Sequence, residues 1–262
     1  MLKIVERSGL SATQAATGAA GQERREAVLH IIEEVKRDGD AALFRLTEKF
    51  DRVALPQLAV ADEEFEEAYR VIDPEVLEAL REAIANIRDY HERQLRESWM
   101  TTKESGTILG QLILPLERVG LYVPGGTAAY PTSVMMNAVP ALVAGVKEIV
   151  MTTPPGKDGK LNAAVLVAAA ELGIRQVYKV GGAQAIAALA YGTETIGSVD
   201  KITGPGNAFV ATAKREVFGQ VAIDMIAGPS EVVVLADETA NAAYIAALLL
   251  AQAEHDPLAS VT

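Results

Sequence analysis

An α/β protein with a mostly parallel sheet is what this sequence predicts, and three observations carry the prediction. From about residue 148 to 235, short runs rich in Val and Ile alternate with longer runs rich in Ala and Leu. Short Gly- or Pro-marked turns separate most of these runs, the pattern of parallel strands with helices crossing back between them. Half of the 262 residues are hydrophobic but only 5% are aromatic, a composition that suits closely packed helices on a sheet.

The elements follow in order. From Gln22 to about Tyr90 the chain reads as helical. Val28, Ile31, Ile32 and Val35 recur at three- and four-residue steps and Gly39 stops the run; Leu43, Phe44 and Leu46 resume it up to Phe50. Asp62 reads as the cap of an acidic first turn, and Asp73-Pro74 as a second start signal, before a helix through Leu77, Leu80, Ile84 and Ile87 toward His91. Thr107–Leu114 and Arg118–Val123 read as strands, and Thr132 or Ser133 as the cap of a helix to Ala144. Strands at Glu148–Thr153, Gln176–Val180, Val199–Thr203, Val221–Ile226 and Val232–Leu235 then alternate with helices over 161–172, to Ala190, and over 208–217. The loop Pro154–Lys160 reads as a turn with no further role. Ala240 to Glu254 is almost all small or apolar and reads as a buried helix that Pro257 ends.

Such a pattern implies a Rossmann-like parallel sheet domain at 130–235. Residues 1–129 form a helical N-terminal region with the first strands, and 236–262 returns to that first domain, so that the second domain is inserted in the first. Ligands of such sheets sit outside the carboxyl ends of the strands, where Tyr122, Gly181–Gln184 and Gly204–Asn207 would gather. The full GxGxxG fingerprint is missing: Gly204-Pro205-Gly206 lacks the third glycine, and Gly181-Gly182 is out of register.

Bulk properties narrow the function. A net charge of −11 argues against nucleic acid or an anionic membrane surface as partner. With no cysteine, disulfides and thiolate metal sites are excluded, and a metal would take nitrogen and oxygen ligands. No apolar run has the length of a membrane span, and the N-terminus lacks a signal-peptide pattern, so a soluble cytoplasmic protein is expected.

Gln252 and His255 lie three apart near the end of the last helix, so both side chains leave one face. Spacing leaves two readings open: a helix cap with a favourable charge at the negative end, or two ligands of a zinc-like metal. Ser230 stands in Gly-Pro-Ser-Glu with no nucleophile-elbow pattern around it. His91, with Glu92 and Gln94, is expected at the surface.

Four stretches together resemble L-histidinol dehydrogenase: Pro115–Pro131, Lys179–Thr193, Lys201–Asn207, and Gly228-Pro-Ser-Glu-Val through Gln252-Ala-Glu-His-Asp-Pro257. Order and spacing fit over nearly the whole chain. The resemblance implies an NAD- and zinc-dependent oxidoreductase, a homodimer, that takes L-histidinol through histidinal to L-histidine in the last steps of histidine biosynthesis. It implies NAD contacts at Tyr122, Gln184 and Asn207, substrate contacts at Ser230, Gln252 and His255, and zinc ligands at Gln252 and His255. The family's remaining ligands, an Asp and a His, and its catalytic Glu–His pair come later in its chain than Thr262. No catalytic residue is therefore assigned here, and these 262 residues alone are expected to be inactive. Leu248 departs from the family's expected Asp and removes a polar support for the metal. Two other classes stay in view: a non-catalytic nucleotide-binding module, and a self-associating scaffold covering exposed apolar surface.

Overall fold

A computed structural model describes residues 19–125, 130–226, 231–254 and 259–262. The chain divides into two compact units, Met1–Ile226 and Ala227–Thr262.

In the larger unit three helices come first: α1 (Ala19–Asp51), α2 (Asp62–Val71) and α3 (Pro74–Glu92). Gly39 breaks α1 with φ 54° and ψ −131°, in keeping with its reading as a stop. The break docks on the turn at 194–195: the Asp40 N–H donates to the Glu194 carboxylate (2.7 Å), and the Thr195 N–H donates to Asp40 (3.3 Å). Asp73 caps α3, accepting from the Glu75 N–H at 2.8 Å. Asp62 is not the cap of α2 but its first residue. The preceding Ala61 exchanges bonds with Glu64, whose carboxylate accepts the Ala61 N–H at 3.1 Å. Thr132 and Ser133 likewise lie inside their helix, which Pro131 opens, because proline's fixed φ suits a first helical position.

Strands β1 (Trp99–Thr102) and β2 (Ile108–Gln111) form an exposed antiparallel hairpin apart from the main sheet. The main sheet comprises β3 (Arg118–Tyr122), β4 (Glu148–Thr153), β5 (Gln176–Lys179), β6 (Lys201–Thr203) and β7 (Ala222–Ile223), all parallel, in the order β5-β4-β3-β6-β7. Its connections carry α4 (Pro131–Val143), α5 (Ala163–Glu171), α6 (Gly182–Tyr191) and α7 (Ala208–Val217). β3, grouped by the sequence reading with the N-terminal region, is the central strand.

Strand alternation splits the core in two. Tyr122, Val150, Tyr178 and Ile202 pack with α1, α6 and α7. Val119, Leu121, Ile149, Met151 and Val177 pack with α2, α3, α4 and α5. Residues 58–60 cover the outer edge of β5 through Lys179 N–H to Leu58 C=O (2.8 Å) and Val60 N–H to Val177 C=O (2.9 Å), removing an open strand edge.

The smaller unit holds β8 (Glu231–Val232), α8 (Ala242–Ala253) and β9 (Ser260–Val261), with β8 and β9 parallel. The run at 232–235 is thus no continuation of the five-stranded sheet. Asn241 caps α8, accepting from the Ala243 N–H at 2.9 Å. The expected burial of this helix does not occur. None of its residues is buried, and Tyr244, Leu248 and Leu250 are 77%, 55% and 68% exposed. A helix apolar all round needs partners on every side, and the described residues leave this one exposed.

Candidate functional site

Reversal of strand order falls between β3 and β6, so the crevice expected to take a ligand lies beyond Tyr122 and Thr203. Tyr122 closes β3 with its ring buried. Its hydroxyl oxygen accepts the Gly182 N–H at 3.1 Å, which ties the end of β3 to the first turn of α6. Burial pushes the phenol up to about 12; the Gly182 N–H opposes this and the charge of Asp51 adds to it.

Gln184 lies in that first turn and is 2% exposed. A β-carbon on Gly182 would stand 2.7 Å from its Oε1. The N-cap position of α6 is Gly181, so Gln184 lies inside the helix and not at its cap. The loop Pro154–Lys160 has more than a turn's role. Pro154 packs under both glycine turns, with β-carbons on Gly125 and Gly181 falling 2.6 and 2.5 Å from its side chain.

The end of β6 is the tightest part of the site. Gly204 has φ 119°, and a β-carbon there would overlap the carbonyl of Tyr122. Three residues on, Asn207 caps α7: its Oδ1 accepts the N–H groups of Phe209 (3.0 Å) and Val210 (3.1 Å). Its carbonyl is committed to the helix, and the amide NH2 remains for other work. The buried Thr203 hydroxyl has no partner among the described residues.

Three charged residues that the sequence reading passed over stand here. Lys214, 2% exposed on α7, donates to the Gly204 carbonyl at 2.9 Å and to Asp224. Asp224 accepts the Gly204 N–H at 2.9 Å. A signal existed: Lys214 lies in the stripe of Val210, Ala213 and Val217, where a lone charge must have a buried partner. Asp51, the last residue of α1, has one carboxylate oxygen buried without a partner among the described residues, and burial pushes its pKa up to about 6.

Other expected residues lie elsewhere. Gln252 stands half-buried near the end of α8 in the smaller unit. Ser230 and His255 fall outside the described residues. His91 is on α3, its Nδ1 2.7 Å from the Gln94 Oε1 in an exposed pair. Among the described residues no group of three His, Cys, Asp or Glu side chains is arranged to hold a metal, and no helix is long and apolar enough to cross a membrane.

A doubly wound α/β protein, with polar side chains and glycine turns at its switch point, is the class that this geometry defines. The family follows from comparison with known proteins. The model of the histidinol dehydrogenase family matches residues 15–262. Histidinol dehydrogenase of Geobacillus kaustophilus is 68% identical over 239 residues, covering 91% of this chain and 56% of that protein. The Bacillus subtilis enzyme is 64% identical over 242 residues, covering 92% and 57%. Among solved structures, histidinol dehydrogenase from Elizabethkingia anophelis superposes with a TM-score of 0.85 at 41% identity, over 90% of this chain and 55% of that one. The chain belongs to the histidinol dehydrogenase family, a family of oxidoreductases. It spans a little over half the length of these relatives.

Proposed function

We propose that this chain carries the nucleotide-binding part of an NAD- and zinc-dependent oxidation of L-histidinol to L-histidine through histidinal. One observation supports this reading above the others: Tyr122 ends β3 and Asn207 follows β6 at the switch point, and Gln184 lies in the first turn of α6, which the Tyr122 hydroxyl holds, in a chain of this family.

The groups present suit a dinucleotide. Tyr122 keeps its hydroxyl proton available while its oxygen accepts from Gly182. Gln184 carries an amide in the first turn of α6 and Asn207 has a spare NH2, groups suited to reading polar atoms of the nucleotide. Bound NAD would supply the hydride acceptor. Removing hydride from an alcohol also requires a base for the hydroxyl proton, and we assign no residue of this chain to that role.

Ser230, Gln252 and His255 are proposed to meet the substrate. Gln252 and His255 are proposed as zinc ligands, and the metal would hold polar groups of the substrate. Two ligands leave a four-coordinate zinc half supplied, so tight zinc binding by these residues alone is not expected. A homodimer in the cytoplasm belongs to the same reading.

The test is NADH formation from L-histidinol with added zinc, with intact mass and NAD affinity read on the same sample. NAD binding without turnover supports a nucleotide-binding part whose chemistry needs groups beyond these 262 residues. Turnover by a chain of verified mass would sink that division of labour and send the search for the base to Glu231, Glu254, His255 and His91. Absence of both binding and turnover would refute the nucleotide reading.

A further inference from the structure

We propose that Lys214 and Asp224 are positioning residues: their ion pair clamps both backbone groups of Gly204 and thereby sets the Gly204–Asn207 turn for its ligand. This rests on the nucleotide reading of that turn. Lys214 donates to the Gly204 carbonyl at 2.9 Å, and Asp224 accepts the Gly204 N–H at 2.9 Å. One glycine is therefore held at its donor and its acceptor by the two ends of one pair.

Asp224 is itself fixed, accepting the Met225 N–H at 2.6 Å, and Lys214 is seated among apolar side chains of α7. The pair thus joins α7 and the residue after β7 to the end of β6. Gly204 rests against the Tyr122 carbonyl, so the clamp also sets the distance between the ends of β3 and β6. Asn207, three residues on, inherits its place from this turn and from the helix it caps.

Such a pair has a geometric use more than an energetic one. Desolvating an ammonium and a carboxylate offsets most of their attraction, and apolar replacement of both partners is often neutral for stability. A device kept for shape should lose its shape on replacement while the fold survives. The Lys214 ammonium is committed to the Gly204 carbonyl and to Asp224, so its influence passes through Gly204.

The experiment uses the full 262-residue chain and four variants: Lys214→Met, Asp224→Ala, Asp224→Asn, and the double variant Lys214→Met with Asp224→Leu. Three quantities are read: NAD affinity by calorimetry, thermal midpoint, and amide hydrogen exchange over 204–209 against α5. Lys214→Met and the double variant should weaken NAD binding about tenfold or more and speed exchange over 204–209, with α5 unchanged. The double variant should still fold, with its midpoint lowered by no more than the backbone bonds to Gly204 and Met225 that it removes. Asp224→Asn should shift affinity less than Asp224→Ala, because its carbonyl still accepts from Gly204.

Unchanged exchange over 204–209 in Lys214→Met and the double variant overturns the clamp. Faster exchange with unchanged NAD affinity overturns its role in positioning. If the parent chain takes no NAD, the nucleotide reading fails by itself and the exchange measurement still decides whether the clamp exists.

Discussion

Gly182 donates its backbone N–H to the hydroxyl of Tyr122 over 3.1 Å, so the last residue of the central strand holds the first turn of α6. One of that helix's four free N–H groups is thereby satisfied by a side chain from another element. Replacing Tyr122 by Phe should cost about 1 kcal/mol, because the Gly182 N–H loses its acceptor. Urea unfolding checks the stability, and NAD titration should show weaker binding.

The same phenol gives a pH signature. Its pKa, pushed up to about 12, lies above the unfolded value of about 10. The folded state therefore holds the proton more tightly. This contribution is fully present below about pH 10 and is lost as pH rises from 10 toward 12. Ultraviolet titration should find a late-ionising group of tyrosines that also includes Tyr69 and Tyr178, and Tyr122→Phe should reduce its amplitude by one phenol.

Asp51 offers the opposite opportunity. Burial raises its pKa to about 6, and one oxygen lacks a partner among the described residues. With a folded pKa above the unfolded one, its favourable contribution is present below about pH 4 and lost through about pH 6. At pH 7 the ionised group costs stability, so Asp51→Asn should stabilise by about 1 kcal/mol after discounting for its partial exposure. Thermal midpoints at pH 7 and pH 4 check this, and the gain should fade at the lower pH.

Asn207 allows cap and ligand roles to be separated. Asn207→Ala removes the acceptor for Phe209 and Val210 and should cost about 1 kcal/mol. Asn207→Asp keeps a good cap at the positive end of α7 but deletes the NH2 group. It should leave stability near that of the parent chain and weaken NAD binding. Equal affinity in parent and Asn207→Asp would remove Asn207 from the site.

Gly204→Ala tests the tightest contact. A left-handed φ and overlap with the Tyr122 carbonyl should together cost at least about 2 kcal/mol. The check is the urea midpoint, with NAD binding expected to be lost on the folded fraction.

Much of this architecture is local in origin and so could be read along the chain. Alternating Val-rich and Ala-rich runs marked β4 to β7 with their helices. Asp73-Pro74 announced the start of α3, and Gly39 the break in α1. Tyr122, Gln184 and Asn207 were readable as strand-end residues, because a turn after a parallel strand leaves its side chains at one edge of the sheet. The family likeness needed only the spelling of four motifs.

What folding decided is what depends on distance in sequence. The sequence put β3 with the N-terminal region, but pairing with both β4 and β6 makes it the centre of the sheet. Apolar content promised a buried α8, yet burial needs neighbours, and composition does not supply them. Asp51, 71 residues before Tyr122, reaches its electrostatic range only through the fold of α1. Lys214 stands in the apolar stripe of α7, which marks it as a charge in need of a partner, but only folding makes that partner Asp224 and closes both on Gly204. Periodicity is a property of neighbouring residues, whereas the partner of a buried charge is chosen by packing.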